Sequence, residues 1–180
     1  MLIAIDARES GTSTGRYVDK LIENIAKLSP EHDFNIITRP HRVDFFKKIA
    51  PNFYVHPTGV KEFTIAEQTR FKQEVIDIDA DLVHFGMVQQ PIFYKGKTVT
   101  TIHDLTTVRF YNPSKNFFIY KFKQFVYKWV IRASADKSSV VITPSDFVKE
   151  DLKKFTNQPE KKFVVTKEAA EQIKEKAEPI

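Results

Sequence analysis

Val99-Thr100-Thr101-Ile102-His103-Asp104-Leu105 is the stretch whose reading decides the fold. Val99 and Ile102 are apolar, and the threonines between them suit a pleated backbone. Two ionisable residues follow, and Pro113 soon after forbids the strand from continuing. The stretch therefore predicts a buried strand ending in His103-Asp104. In open α/β sheets ligands sit just beyond the carboxyl ends of the strands, so a His-Asp pair at that place is a candidate site. Two readings stand on this stretch alone: His103 and Asp104 line a cleft, or they cap a loop.

Outward from it, strands and helices alternate. Leu2–Ile5, Phe34–Thr38, Phe53–Val55, Ala80–Gly86, Ser139–Thr143 and Phe163–Val165 are short apolar or β-branched runs. Helical spacing of Val18, Leu21, Ile22, Ile25 and Leu28 predicts a helix closed by Pro30. Further helices are expected over Val43–Ile49, from the capping box Thr64-Ile-Ala-Glu67 to Ile78, from Asn112-Pro113 to Ala135, from Ser145 through Leu152, and over 168–176. Short links between alternating strands and helices imply a Rossmann-like, doubly wound parallel sheet in three α/β/α layers. Residues 1–165 read as that domain and 166–180 as a helix or linker beyond it.

Bulk properties narrow the classes. At 180 residues with 42% hydrophobic and 28% charged residues, the chain fits one globular domain. With no Cys, disulfides and thiolate-bound zinc are excluded. Net charge is +5, and residues 112–162 carry eleven Lys/Arg against five Asp/Glu. This basic excess comes without an RNP, KH or helix-turn-helix signature, so no nucleic-acid partner is expected. The start Met1-Leu-Ile-Ala-Ile-Asp6 lacks the basic and long apolar regions of a signal peptide, which points to the cytoplasm.

Between the first strand and first helix lies Glu9-Ser-Gly11-Thr-Ser-Thr-Gly15-Arg16-Tyr17. Strand, small-residue loop and helix together can present backbone N–H groups to an anion, although neither a dinucleotide fingerprint nor a Walker loop is complete here. Gly11, Gly15, Arg16 and Tyr17 are the candidates in this loop, and His84 is another because it also ends a strand. Asp6 and Arg8 can pair with each other. His32, His41 and His56 read as ordinary surface, and no metal-ligand spacing stands out.

The long helix has two aromatic stripes. Phe118, Phe122, Phe125 and Trp129 form one, read as the core face against the sheet. Phe117, Tyr120, Tyr127 and Ile131 form the other, beside Lys121, Lys128 and Arg132. The second stripe is expected to be covered by flanking loops or another domain, or to rest on the inner face of a membrane as basic amphipathic helices do.

Five segments in order resemble the N-terminal half of a retaining, family 4 glycosyltransferase of the GT-B fold. They are Ile5-Asp6-Ala7-Arg8, Gly15-Arg16-Tyr17, Asp81-Leu-Val-His84-Phe85, Thr101-Ile-His103-Asp104-Leu105 and Thr143-Pro-Ser-Asp-Phe147-Val-Lys149. The resemblance implies an acceptor-side domain for a glycan or lipid acceptor, with the nucleotide-sugar donor held mostly by a second domain. It implies that the histidine at position 103 faces the donor sugar, that transfer is metal-independent and passes through an oxocarbenium-like state, and that no separate cofactor is needed. Two departures accompany it. Ser13-Thr14 stands where the family usually has Gly-Ile, and a side chain at 13 limits how closely a phosphate can approach. The family's Glu-x7-Glu motif belongs to the second domain, which the chain lacks, and the same spacings at Glu23/Glu31 and Glu160/Glu168 are read as chance. The 180-residue chain alone is therefore expected to fold but to transfer no sugar. The rival reading is a stand-alone module for an anionic partner.

Overall fold

The computed structural model describes residues 1–28, 31–109 and 117–168, with side chains from 120 onward in the last segment. Seven strands form one all-parallel sheet: β1 (Leu2–Ala7), β2 (Asp33–Thr38), β3 (Tyr54–Pro57), β4 (Leu82–Phe85), β5 (Thr98–Thr101), β6 (Val140–Thr143) and β7 (Phe163–Val165). Their order is β3-β2-β1-β4-β5-β6-β7. The chain order reverses between β1 and β4, which is where a doubly wound sheet opens its ligand crevice. Each predicted strand is present, because buried parallel strands read as continuous apolar or β-branched runs.

The helices are α1 (Arg16–Lys27), α2 (Val43–Ile49), α3 (Lys72–Asp77), α4 (Thr106–Arg109), α5 (Phe117–Lys137) and α6 (Asp146–Thr156). A π-helical stretch, Glu67–Phe71, runs directly into α3. α6 shows why its ends fall where they do. The Ser145 hydroxyl accepts a hydrogen bond from the Val148 amide, and Asn157 closes the helix in a left-handed conformation at φ 57°. α4 is an element the sequence does not announce; the predicted helix 168–176, apart from Glu168, and the Asn112-Pro113 start lie outside the described residues, as does Pro30.

The period of two along the strands divides the core. Ile5 and Ala7 of β1 pack with Val18, Ile22 and Phe46 of α1 and α2. Ala4, from the opposite face, packs with Phe71, Val75, Val83 and Phe85. A third cluster joins Ile102, Val141 and Phe163 to Ile131 of α5 and Leu152 of α6. Helices thus cover both sheet faces, as expected.

The two stripes of α5 are exchanged relative to the expectation. Phe122, Phe125 and Trp129 are exposed, at 69%, 70% and 46%. Val130, Ile131 and Ala135 are buried, with Tyr127 packed against their cluster. The side chains of Phe117 and Phe118 lie outside the described residues. Spacing identifies two apolar faces on this helix but not which one meets the sheet; the small residues Ser134 and Ala135 let the helix approach on the Ile131 side. The expected partner surface is corrected accordingly. Tyr120 and Tyr127 are half-buried, and Arg132 lies over the Phe155 ring of α6 at 4.5 Å. Lys121 is exposed and Lys128 half-buried.

Candidate active site

A cleft of about 1100 Å³ opens at the carboxyl edge of the sheet. Its walls come from the loop after β1, the start of α1, the segments after β4 and β5, Tyr127 of α5, and Thr166–Glu168 beyond β7. His103 stands in it, two residues past the end of β5, and three contacts hold its ring. Nε2 donates to the Gly86 carbonyl at 3.1 Å, and Nδ1 lies 2.7 Å from a Glu168 carboxylate oxygen. The Tyr17 ring meets it edge to face at 4.9 Å.

Tyr17 is positioned in turn by Thr101, whose hydroxyl is 3.1 Å from the phenol oxygen. Burial raises the Tyr17 pKa, and the hydrogen bond from Thr101 works in the opposite direction. Arg16 is exposed and lines the same cleft. Asp104 also lines it, but its carboxylate accepts the Thr106 amide at 2.7 Å and so caps the short helix α4.

His84 does not reach the cleft. It alternates along β4 with Val83 and Phe85, so it faces the α1 side of the sheet. There its Nε2 is 2.9 Å from the same Thr101 hydroxyl. Burial lowers its pKa to about 4, against a smaller upward pull from Asp6, so the ring is neutral at pH 7.

The loop after β1 is closed on itself. The Ser10 amide donates to the Ala7 carbonyl, the Thr12 amide to Glu9, the Gly11 amide to Asp19 and the Gly15 amide to the Thr12 hydroxyl. Those four donors are committed within the loop or to Asp19 of α1 rather than offered to an anion. Gly15 lines a small cavity beside the cleft rather than the cleft itself, and a Cβ there would lie 1.8 Å from the Glu9 carbonyl oxygen, so only glycine fits. Gly11, at φ 83°, is a turn residue set against the Arg42 side chain and away from the cleft. Ser10, Asp19 and Arg42 tie the loop to both helices, with Arg42 bonding Ser10 at 2.8 Å and Asp19 at 3.0 Å.

Beneath the cleft lies an ion cluster that the sequence revealed only in part. Asp6 and Arg8 pair as expected, through bonds of 2.8–3.1 Å. Arg8 also reaches Glu67 at 2.8 Å and lies 3.6 Å from the Phe71 ring centroid. Glu67 and Phe71 are four apart on the π-helical stretch, so one face supplies both a carboxylate and a ring to the guanidinium. Burial works against the charge on Arg8, but Asp6 and Glu67 outweigh it and hold its pKa above the ordinary value. Burial also pushes the Glu67 carboxyl up, against the pull of Arg8. The capping-box reading of Thr64–Glu67 is correct for the Glu67 amide, which the Thr64 hydroxyl accepts at 3.2 Å. It gave no sign of the partner 59 residues away. Among the described residues, no group of three or more acidic or histidine side chains could hold a metal ion.

An all-parallel sheet with helices on both faces, its order reversing between β1 and β4 and a cleft at its carboxyl edge, defines a Rossmann-like α/β domain. Residues 14–167 match the model of Glycosyltransferase Family 4, and the chain belongs to that family. A glycosyltransferase from Rickettsia africae is similar in structure, with a TM-score of 0.53 and 16% identity, over 92% of this chain and 42% of that one. Arabidopsis thaliana UGT89C1, solved complexed with UDP, gives a TM-score of 0.52 at 12% identity, over 91% of this chain and 50% of that one. The chain thus spans half or less of the length of these two proteins. No curated protein matches it.

Proposed function

We propose that the chain is the acceptor-side half of a retaining glycosyltransferase that moves a hexosyl group from a nucleotide sugar to a glycan or lipid, the donor being held mainly by a second domain. The observation that carries this reading is His103, held by three contacts in an open cleft at the sheet's carboxyl edge, in a chain of this family. Because Nε2 donates to Gly86, a hydroxyl of the donor sugar would donate to Nδ1 where Glu168 now sits, since that carboxylate is 44% exposed and displaceable. The Nδ1 lone pair favours positive charge developing at the sugar, whereas an N–H donor would oppose it, and the Tyr17 and Gly86 contacts position the ring before the reaction. Asp104 acts by shaping the loop that carries His103, and Arg16 and Tyr17 by lining the cleft. No metal or cofactor is required. The 180-residue chain incubated with nucleotide sugars should release no nucleotide, whereas a protein carrying both domains should transfer sugar. Turnover by the chain alone would contradict the division of labour.

One observation favours a protein that rests peripherally on a membrane. Phe122, Phe125 and Trp129 are exposed on one face of α5, with Trp129 against Phe93 at 6.3 Å and the basic Lys121 and Lys128 to one side. Among the described residues, no helix is long and apolar enough to cross a membrane. Each Lys near an anionic leaflet adds about 1 kcal/mol, so binding should be reversible and salt-sensitive. Co-sedimentation with vesicles rich in anionic lipid should fall when Phe122 and Phe125 are both changed to Ser; binding unaffected by that change would exclude this face.

A further inference from the structure

A small cavity of about 10 Å³, room for one oxygen atom, lies between the loop after β1 and the segment after β4. It shares Glu9, Thr14, Met87 and Gln89 with the large cleft, so it adjoins the cleft floor. Two of its wall residues carry buried polar atoms with no hydrogen-bond partner: Arg8 Nη1 and Gln89 Oε1. Arg8 is only 3% exposed, and its other side-chain donors are all used on Asp6, Glu67 and the Gln89 carbonyl. A buried donor and a buried acceptor left unpaired each carry a desolvation cost that a suitable ligand group would remove.

The charges decide what that group is. The carboxylates of Asp6, Glu9 and Glu62 line the cavity against the guanidinium of Arg8, and behind this wall Glu67 pairs with Arg8 and Arg39 with Glu62. The balance is negative, and burial together with Glu62 and Asp6 pushes the Glu9 carboxyl up. A phosphate would meet repulsion here. An ammonium group would put its protons against the unpaired N–H of Arg8. A hydroxyl has one donor and two acceptor sites, and satisfies Arg8 together with either end of the Gln89 amide.

We infer that this cavity is a subsite for a single hydroxyl of a neutral, polyhydroxylated acceptor, which accepts from Arg8 Nη1 and bonds the Gln89 side-chain amide. The inference rests on the acceptor-side reading of the cleft and narrows it: the floor at β1 and β4 takes sugar hydroxyls, and the donor's phosphates lie elsewhere.

The test is an NMR titration of the isotopically labelled 180-residue chain, following the Arg8 Nε–H and Gln89 side-chain amide signals. Methyl α-D-glucopyranoside should shift both saturably, while inorganic pyrophosphate should leave both unmoved. Gln89→Met, similar in size and unable to bond the hydroxyl, should weaken the glucoside about tenfold. If the glucoside shifts neither signal, the cavity holds only water and the inference is wrong; it is equally wrong if pyrophosphate shifts them instead. The comparison of the two probes on the unaltered chain stands even if Gln89→Met folds poorly. Sugar transfer by a protein with both domains is measured separately. Transfer without glucoside shifts would defeat the subsite alone, and shifts without transfer would defeat the enzyme reading alone.

Discussion

Acidification should destabilise this fold through His84 in particular. The ring is 9% exposed, bonded to Thr101, and its pKa is lowered to about 4 by burial. In the unfolded chain an ordinary histidine titrates near 6.5. Between those values the unfolded state binds a proton that the folded state refuses, so stability is full above the unfolded value and lost as pH falls toward the folded one. Moving from pH 7 to pH 5 crosses about one and a half pH units of that window, at 1.36 kcal/mol per unit, and removes about 2 kcal/mol. The perturbation that isolates this effect is His84→Gln, which does not titrate and can still reach Thr101. Urea unfolding of both proteins at pH 7 and pH 5 gives four free energies, and carboxyls and other histidines cancel in their double difference. The unaltered protein should lose about 2 kcal/mol more than the variant. Equal losses would mean that His84 accepts a proton in the folded state, and the packed, neutral ring described above would be wrong.

Arg8→Met should leave the Asp6 and Glu67 carboxylates buried without their cation, a change that costs about 3–5 kcal/mol and lowers the melting temperature by roughly 10 °C. Part of the loss should be recovered at pH 5, where a carboxyl can take up a proton; a melting temperature within a degree of the parent would refute the cluster. Gly15→Ala places a methyl group on the Glu9 carbonyl oxygen and should destabilise by about 1–3 kcal/mol, read from urea midpoints. A neutral result would show that the loop after β1 is not packed on itself.

How much of this was legible in the sequence depended on the range of the interaction. Strands announced themselves because a parallel sheet buried on both faces demands β-branched and apolar runs, as in Val140–Thr143. Asp6 and Arg8, two residues apart, could be paired on paper, but Glu67 could not be joined to them without the fold. His84 and His103 look alike in sequence, each near the end of a strand. They part because His84 sits within β4, where alternation sends it toward α1, while His103 lies past β5, where the loop sets its direction. The two faces of α5 are legible in its spacing but not their orientation, since a helix apolar on two sides carries no local mark of which neighbour it will meet, and the face expected in the core is the exposed one. Glu168 illustrates the same limit. Its spacing from Glu160 carries no sign of its role, and only the turn of the chain after β7 brings it to the His103 ring.

The most direct test of the central claim is His103→Ala in a protein carrying both domains, with kcat and melting temperature measured on the same sample. Loss of one positioned hydrogen bond at the reacting centre should cost about 3 kcal/mol of transition-state stabilisation, lowering kcat roughly a hundredfold or more. His103 stands outside the three core clusters, so the melting temperature should move by no more than a few degrees. A variant that melts early yet turns over normally would contradict the account, and would make His103 a structural residue of the loop rather than part of the chemistry.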